Sequence, residues 1–191
     1  MSCILSPLAF LPMFAFKEWT LICEALGSGA QSIIIRKGGI AEGRDGFRFK
    51  HPDFLLFPTL FHEQVAKLKL PPATELPKAR EDGQHAVSFT AHVEWTKDIA
   101  DWDKVQALAS FHLWTEAEIE KRYRQDDKLG VSLAFVRIYR LSQPLVFPDS
   151  PKYGGCRSWI ELPDLPAGTS LVPVLDDTTH AARAAEVRGV I

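Results

Sequence analysis

The sequence predicts an α+β fold, with a mixed, mainly antiparallel sheet or a small, partly closed barrel flanked by helices. Three observations carry that expectation. Short runs rich in β-branched and aromatic residues recur along the chain. The cleanest is Val87 to Trp95, where Val87, Phe89, Ala91, Val93 and Trp95 alternate with Ser88, Thr90, His92 and Glu94. Helical periodicities with capping residues fall between these runs without alternating strictly with them. Hydrophobic residues make up 46% of 191, enough to bury a sizeable core.

Composition narrows the function classes. Charged residues are evenly mixed and the formal net charge is −2, so any nucleic-acid surface has to be local. The cysteines, Cys3, Cys23 and Cys156, are far apart and odd in number. They suit reduced thiols in a cytoplasmic protein, not a disulfide framework or a zinc knuckle. No cofactor fingerprint and no metal-ligand spacing is present, and neither a cofactor nor a metal is expected. Residues 1–15 form an apolar leader, interrupted by Pro7 and Pro12, that lacks a basic n-region and a cleavage site. It is also too short to span a bilayer before Lys17, so no membrane association is expected. Residues 16–191 are expected to form one domain, with a proline-rich loop at 70–86.

Taken in order, Phe16 to Leu26 has helical spacing, with Gly27-Ser28-Gly29 as a stop. Ser32 to Arg36 is a strand with three consecutive isoleucines. Gly46 to Lys50 alternates aromatic and basic residues, and is expected to pair with Ser32 to Arg36 as a hairpin. Asp53 to Phe57 is a third strand, and Thr59 caps a helix through Leu68 that has His62 in its first turn. Val87 to Trp95 is a fourth, with Val131 to Leu141 as its expected partner. Asp101 caps a short helix to Ser110. Thr115 with Glu118 makes a capping box for a second. Pro144 to Gly155 reads as a loop, Trp159 to Leu162 and Leu171 to Leu175 as strands, and Thr179 to Val187 as a peripheral helix that Asp176-Asp177-Thr178 can cap.

The most basic window lies between the second and third strands. There Arg36, Lys37, Arg44, Arg48 and Lys50 stand against Glu42 and Asp45, a local excess of three positive charges. Gly38 and Gly39 let the backbone approach a ligand closely. The expected phosphate-binding set is therefore Arg36, Lys37, Gly38, Gly39, Arg44 and Arg48. A catalytic alternative groups Lys37, Glu42 and His62 around an anionic substrate, with a neutral His62 as acid or base. Trp114 and Tyr153 are candidates to stack on bases.

Several segments, in order, resemble one bacterial family, domain of unknown function 1802. They are Phe16-Lys17-Glu18-Trp19, Leu21 to Leu26, Arg36-Lys37-Gly38-Gly39-Ile40 with Glu42, Phe57-Pro58-Thr59 with His62, Trp114-Thr115, and Tyr153-Gly154-Gly155-Cys156-Arg157-Ser158-Trp159. The resemblance runs from Phe16 to about Leu162 and implies membership and a bacterial cytoplasmic setting, without an activity. Two architectures fit parts of the pattern. One is a small barrel of the kind in RNA-binding PUA and ASCH domains. The other is a restriction-endonuclease-like order, in which Asp45 would be the first acid; but Phe54 to Phe57 has neither acid nor lysine, so the Mg²⁺ signature is absent. The first-ranked expectation is a nucleic-acid or phosphate-binding domain with RNA or DNA as partner. The alternatives are an enzyme acting on an anionic substrate and a protein-interaction scaffold.

Overall fold

The computed structural model describes residues 13–37, 48–60, 62–78, 80–125 and 128–191. Seven strands form one mixed, mostly antiparallel sheet: β1 (Met13–Trp19), β2 (Ile33–Arg36), β3 (Asp53–Thr59), β4 (Gln84–Ile99), β5 (Val131–Pro148), β6 (Trp159–Leu162) and β7 (Leu171–Pro173). The strand order is β2-β5-β4-β3-β1-β6, with β7 paired to β5, and the ladder does not close into a barrel. Only β1 and β3 run parallel. Helices α1 (Thr20–Gly27), α2 (Gln64–Lys67), α3 (Trp102–Ala107), α4 (Glu116–Tyr123) and α5 (Asp177–Val190) flank it.

Alternation along the central strands builds two apolar layers. Phe16, Phe54 and Leu56 point into the larger one with Ile33, Ile35, Phe135 and Trp114. Their neighbours Ala15, Leu55 and Phe57 point into the smaller one with Val87, Leu145 and Tyr153. The main departure from expectation lies at the start of the chain. The run beginning at Phe16 is strand through Trp19, and the helix begins only at Thr20. Phe16 and Trp19 stand at the i, i+3 spacing of a helix, and Lys17-Glu18 between them break the alternation of a strand, so the segment reads as helix.

The other departures have similar causes. The expected helix from Thr59 to Leu68 shrinks to α2, because Thr59 is the last residue of β3 and lies beside Trp19 in the parallel ladder. His62 therefore precedes α2. The hairpin between Ile33–Arg36 and Gly46–Lys50 is not formed among the described residues: β2 pairs with β5, and Arg48–Lys50 is not strand. β4 and β5 are longer than expected, although they pair as expected. The register shift between Val87 and Phe89 moves Val87 into the smaller core and Ala91 into the larger. Opposite it, Pro144 sits at an interruption in the ladder where no N–H is required.

The caps read from sequence are present. Asp101 accepts from Asp103 N at 3.0 Å, Thr115 Oγ1 from Glu118 N at 3.4 Å, and Asp176 from Thr179 N at 2.9 Å. The last of these starts α5, which packs His180, Ala184 and Val187 into the protein.

Two expected outcomes follow. Phe135 is fully buried and stacks on Trp95 at 5.2 Å. Replacing it by alanine should cost about 3–5 kcal/mol in urea unfolding, whereas Val172→Ala, at a 55% exposed side chain, should stay within about 0.5 kcal/mol. His112 is buried, which pushes its imidazole down to about 3, with Lys69 and Arg122 adding to the effect. Its folded pKa lies below the unfolded value, so the stability it confers is complete above that value. It is lost as pH falls from about 6.5 towards 3, at up to about 1.4 kcal/mol per unit. His112→Gln should flatten the stability–pH curve by that amount over the same window.

Candidate functional site

The first feature of the site is a buried ion cluster between strands that are not neighbours in the sheet. Arg36 ends the edge strand β2, and Glu18 lies near the end of β1. Arg36 Nη2 is 3.1 Å from Glu18 Oε2 and donates to the Lys17 carbonyl at 2.7 Å. Its guanidinium carbon also stands 4.6 Å from the Phe16 ring centroid. The Glu18 side chain is 1% exposed, and its other oxygen accepts from Trp19 N at 2.8 Å, at the positive end of α1. Gln64, fully buried, accepts from Leu21 N and donates to the Thr59 carbonyl, so a distant side chain serves the start of α1.

Arg122 from α4 completes the cluster. Its guanidinium lies 3.5 Å from the Trp114 ring centroid and donates to the Ile35 carbonyl at 3.1 Å, with Glu118 Oε1 3.6 Å away. Burial pushes its pKa down to about 10, and the Arg36 charge pushes in the same direction. The Cys23 thiol, buried nearby, is driven well up by burial and then by Glu18, so it stays protonated and unreactive.

The second feature is the surface beside this cluster. The Lys17 ammonium donates to the Tyr153 and Gly155 carbonyls at 2.8 and 2.9 Å, and its backbone N–H donates to the Ser158 carbonyl at 2.9 Å. This clasp holds the loop 153–158 against β1, and Gly155, at φ 78°, supplies a left-handed turn within it. Partial burial and then the neighbouring Arg157 lower the Lys17 pKa. Beside the loop, the His51 ring stacks on Phe14 with centroids 3.7 Å apart, and meets Trp159 edge-on at 4.9 Å. Partial burial and then Lys50 lower the His51 pKa, so the ring is mainly neutral at pH 7. Arg48, Lys50 and Arg157 are exposed and lie within three residues of His51 or Trp159 in the chain.

The residues singled out from sequence are distributed as follows. Arg36 points inward, onto Glu18. The Lys37 ammonium donates to the carbonyls of Lys128 and Gly130. Arg48 is exposed, one residue from Phe49, whose ring is 6.0 Å from Phe16. Gly38, Gly39, Glu42, Arg44 and Asp45 lie outside the described residues. The His62 side chain is 86% exposed, with Nε2 3.8 Å from Glu63 Oε1. Trp114 and Tyr153 are core residues, 1% and 5% exposed, and not surfaces for bases. Among the described residues, no group of three or more His, Cys, Asp or Glu side chains is placed to hold a metal ion, and no helix is long and apolar enough to cross a membrane.

Sequence reasoning misses the partners, not the segments. In the sequence Glu18 reads as a solvated or capped carboxylate, and nothing local announces that it is buried against Arg36. The clasp of Lys17 on the 153–158 loop spans 136 residues. A weak signal does exist: Glu18, Arg36 and Trp114 all lie in the segments that carry the family resemblance.

The buried pair gives a direct expectation. Arg36→Met leaves the Glu18 charge buried without its partner and should cost about 3–5 kcal/mol, while Glu18→Gln combined with Arg36→Met should cost less than the two single changes together. Urea unfolding of the four proteins checks this; additive costs would mean that the two side chains do not hold each other.

Among solved structures, "Crystal structure of ASCH from Zymomonas mobilis" is similar at 12% identity and TM-score 0.41, covering 66% of this chain and 67% of that one. A tyrosine-to-phenylalanine mutant of the Zymomonas mobilis protein is similar at 12% identity and TM-score 0.44, covering 80% and 91%. No curated protein matches the chain. A match to the family described as Domain of unknown function (DUF1802) extends over residues 15–186, nearly the whole length and all of the segments that meet at Glu18, Arg36 and the Lys17 clasp, and the chain belongs to that family.

Proposed function

We propose that this domain binds RNA or DNA along the edge formed by residues 48–51, the 153–158 loop and the start of β1. The observation that carries the proposal is the convergence of three segments remote in sequence. Together they bring the half-buried rings of Phe14, His51 and Trp159 into contact, and the exposed cations Arg48, Lys50 and Arg157 lie within three residues of His51 or Trp159 in the chain. Phosphates attract cations with salt-dependent affinity, and a neutral aromatic ring offers bases a stacking surface. Gly38, Gly39 and Arg44 are proposed to extend the phosphate-binding surface, since they occupy the chain leading into Arg48, with Lys37 holding the start of that chain through the carbonyls of Lys128 and Gly130. Arg36 is proposed to act indirectly, by fixing the end of β2 from which that chain departs.

The catalytic alternative, Lys37 with Glu42 and His62, draws no comparable support. The Lys37 ammonium is engaged by main-chain carbonyls, and His62 sits on open surface beside Glu63.

A gel-shift series with short labelled single strands of RNA and DNA tests the proposal. Retardation should weaken with salt. Arg48→Glu with Lys50→Glu should weaken it further, at least about tenfold, and lower the salt slope by about one unit for each phosphate left without its cation. Both side chains are exposed, so the thermal midpoint should hold. Retardation unchanged by the double substitution, or none at low salt, would overturn the assignment.

A further inference from the structure

A second feature lies on other elements, away from the rings and cations of the proposed nucleic-acid edge. α5 crosses β4 and β5 with His180, Ala184 and Val187 turned inward. Beside that face a cleft of about 380 Å³ opens, floored by Ala181, Ala184 and Ala185 and walled by Glu94, Arg137, Asp177, His180 and Arg188. Its volume falls at the lower end of the range for small-molecule sites. Alanine methyls are too short to fill it, so the floor is apolar and open.

The wall charges are unevenly satisfied. His180, 6% exposed, holds Glu94 Oε1 at 2.8 Å from Nε2, and its ring packs 5.0 Å from Phe135. That contact fixes the Glu94 side of the wall. Arg137 reaches Asp177, whose carboxylate is 93% exposed and therefore heavily screened by water, and donates to the Leu175 carbonyl at 3.5 Å. Arg188 makes no ion pair among the described residues, and its guanidinium instead lies 5.3 Å from the Trp95 ring centroid. Two guanidiniums thus border one small cleft, one of them without a carboxylate and the other with a solvated one.

We propose that this cleft binds a small organic anion. Its oxyanion head, a carboxylate or a phosphate, lies between Arg137 and Arg188, whose planar forks suit two-oxygen recognition. A short apolar body of a few carbons lies on the alanine floor. His85–Asp149 and His92–Asp53 pair an imidazole with a carboxylate in a similar way, but neither pair lines this cleft.

The test titrates the full chain with acetate, butyrate, a butyl phosphate and inorganic phosphate, following amide and indole resonances by NMR. Saturable shifts at Trp95 and along α5 are expected, with both four-carbon anions binding more tightly than acetate or inorganic phosphate. A preference between the two four-carbon anions identifies the head group as carboxylate or phosphate. Arg188→Gln should weaken binding about tenfold. Ala185→Leu, at an exposed position on the alanine floor, should block it without shifting the thermal midpoint. Non-saturable shifts, shifts outside α5 and its neighbouring strands, equal binding of inorganic phosphate, or indifference to both variants would overturn the proposal.

Discussion

The Arg36 guanidinium joins an edge strand to a strand four places away in the sheet. β5, β4 and β3 separate β2 from β1 in the hydrogen-bonded order, yet Arg36 of β2 touches both the Glu18 carboxylate and the Lys17 carbonyl of β1. The sheet is therefore curled, and its curl is tied by one side chain instead of by a closed ladder. The larger core lies inside the curl, where Ile33, Ile35, Phe16, Phe54 and Trp114 meet. Burying two opposite charges is expensive unless their remaining donors and acceptors are met. Here the Trp19 N–H meets one Glu18 oxygen and the Lys17 carbonyl accepts from Arg36 Nη2, while Arg36 Nε stays buried without a hydrogen-bond partner among the described residues, and Arg122 adds a second cation above the Trp114 ring.

This arrangement also explains how a chain of net charge −2 can present a locally basic edge. Arg36 and Arg122 turn inward and are balanced by Glu18 and Glu118. Three of the cations left on the outside, Arg48, Lys50 and Arg157, lie close in the chain to His51 and Trp159, and the His51 ring meets both Trp159 and Phe14 of β1, the strand that carries Glu18. Lys17 belongs to both layers: its carbonyl accepts from Arg36, and its ammonium clasps the 153–158 loop. A change in the buried cluster would thus be felt at the surface through a few residues of β1.

Much of the fold is legible in the sequence, and the limits have physical causes. The caps at Asp101, Thr115 and Asp176 are local chemistry and can be read from a few neighbouring residues, and the pairing of Val87 to Trp95 with Val131 to Leu141 follows from their alternation and length. The end of β1 resembles a helix in sequence because Phe16 and Trp19 fall at helical spacing and Lys17-Glu18 interrupt the strand's alternation. The helix after Thr59 is shorter than its sequence suggests because a threonine can end a strand as readily as it caps a helix. The candidate site is legible as a set of segments and not as a geometry. Arg36 stands out for its charge, but its partner is a carboxylate on β1 that nothing nearby marks as buried. Trp114 and Tyr153 draw notice as aromatic loops and are core, whereas His51 carries no signal of its own. A histidine acquires its role from what stacks on it, and Phe14 and Trp159 come from far along the chain.

The central claim is that the edge at residues 14–17, 48–51 and 153–159 is where the domain meets nucleic acid. The most direct measurement is an amide chemical-shift map of the full chain, titrated with a short single strand of RNA and then of DNA at low salt. The account predicts shifts concentrated at Phe14, Lys17, Lys50, His51, Arg157 and Trp159, with α5 silent. Shifts confined to α5, shifts scattered without regard to that edge, or none at saturating strand would contradict it.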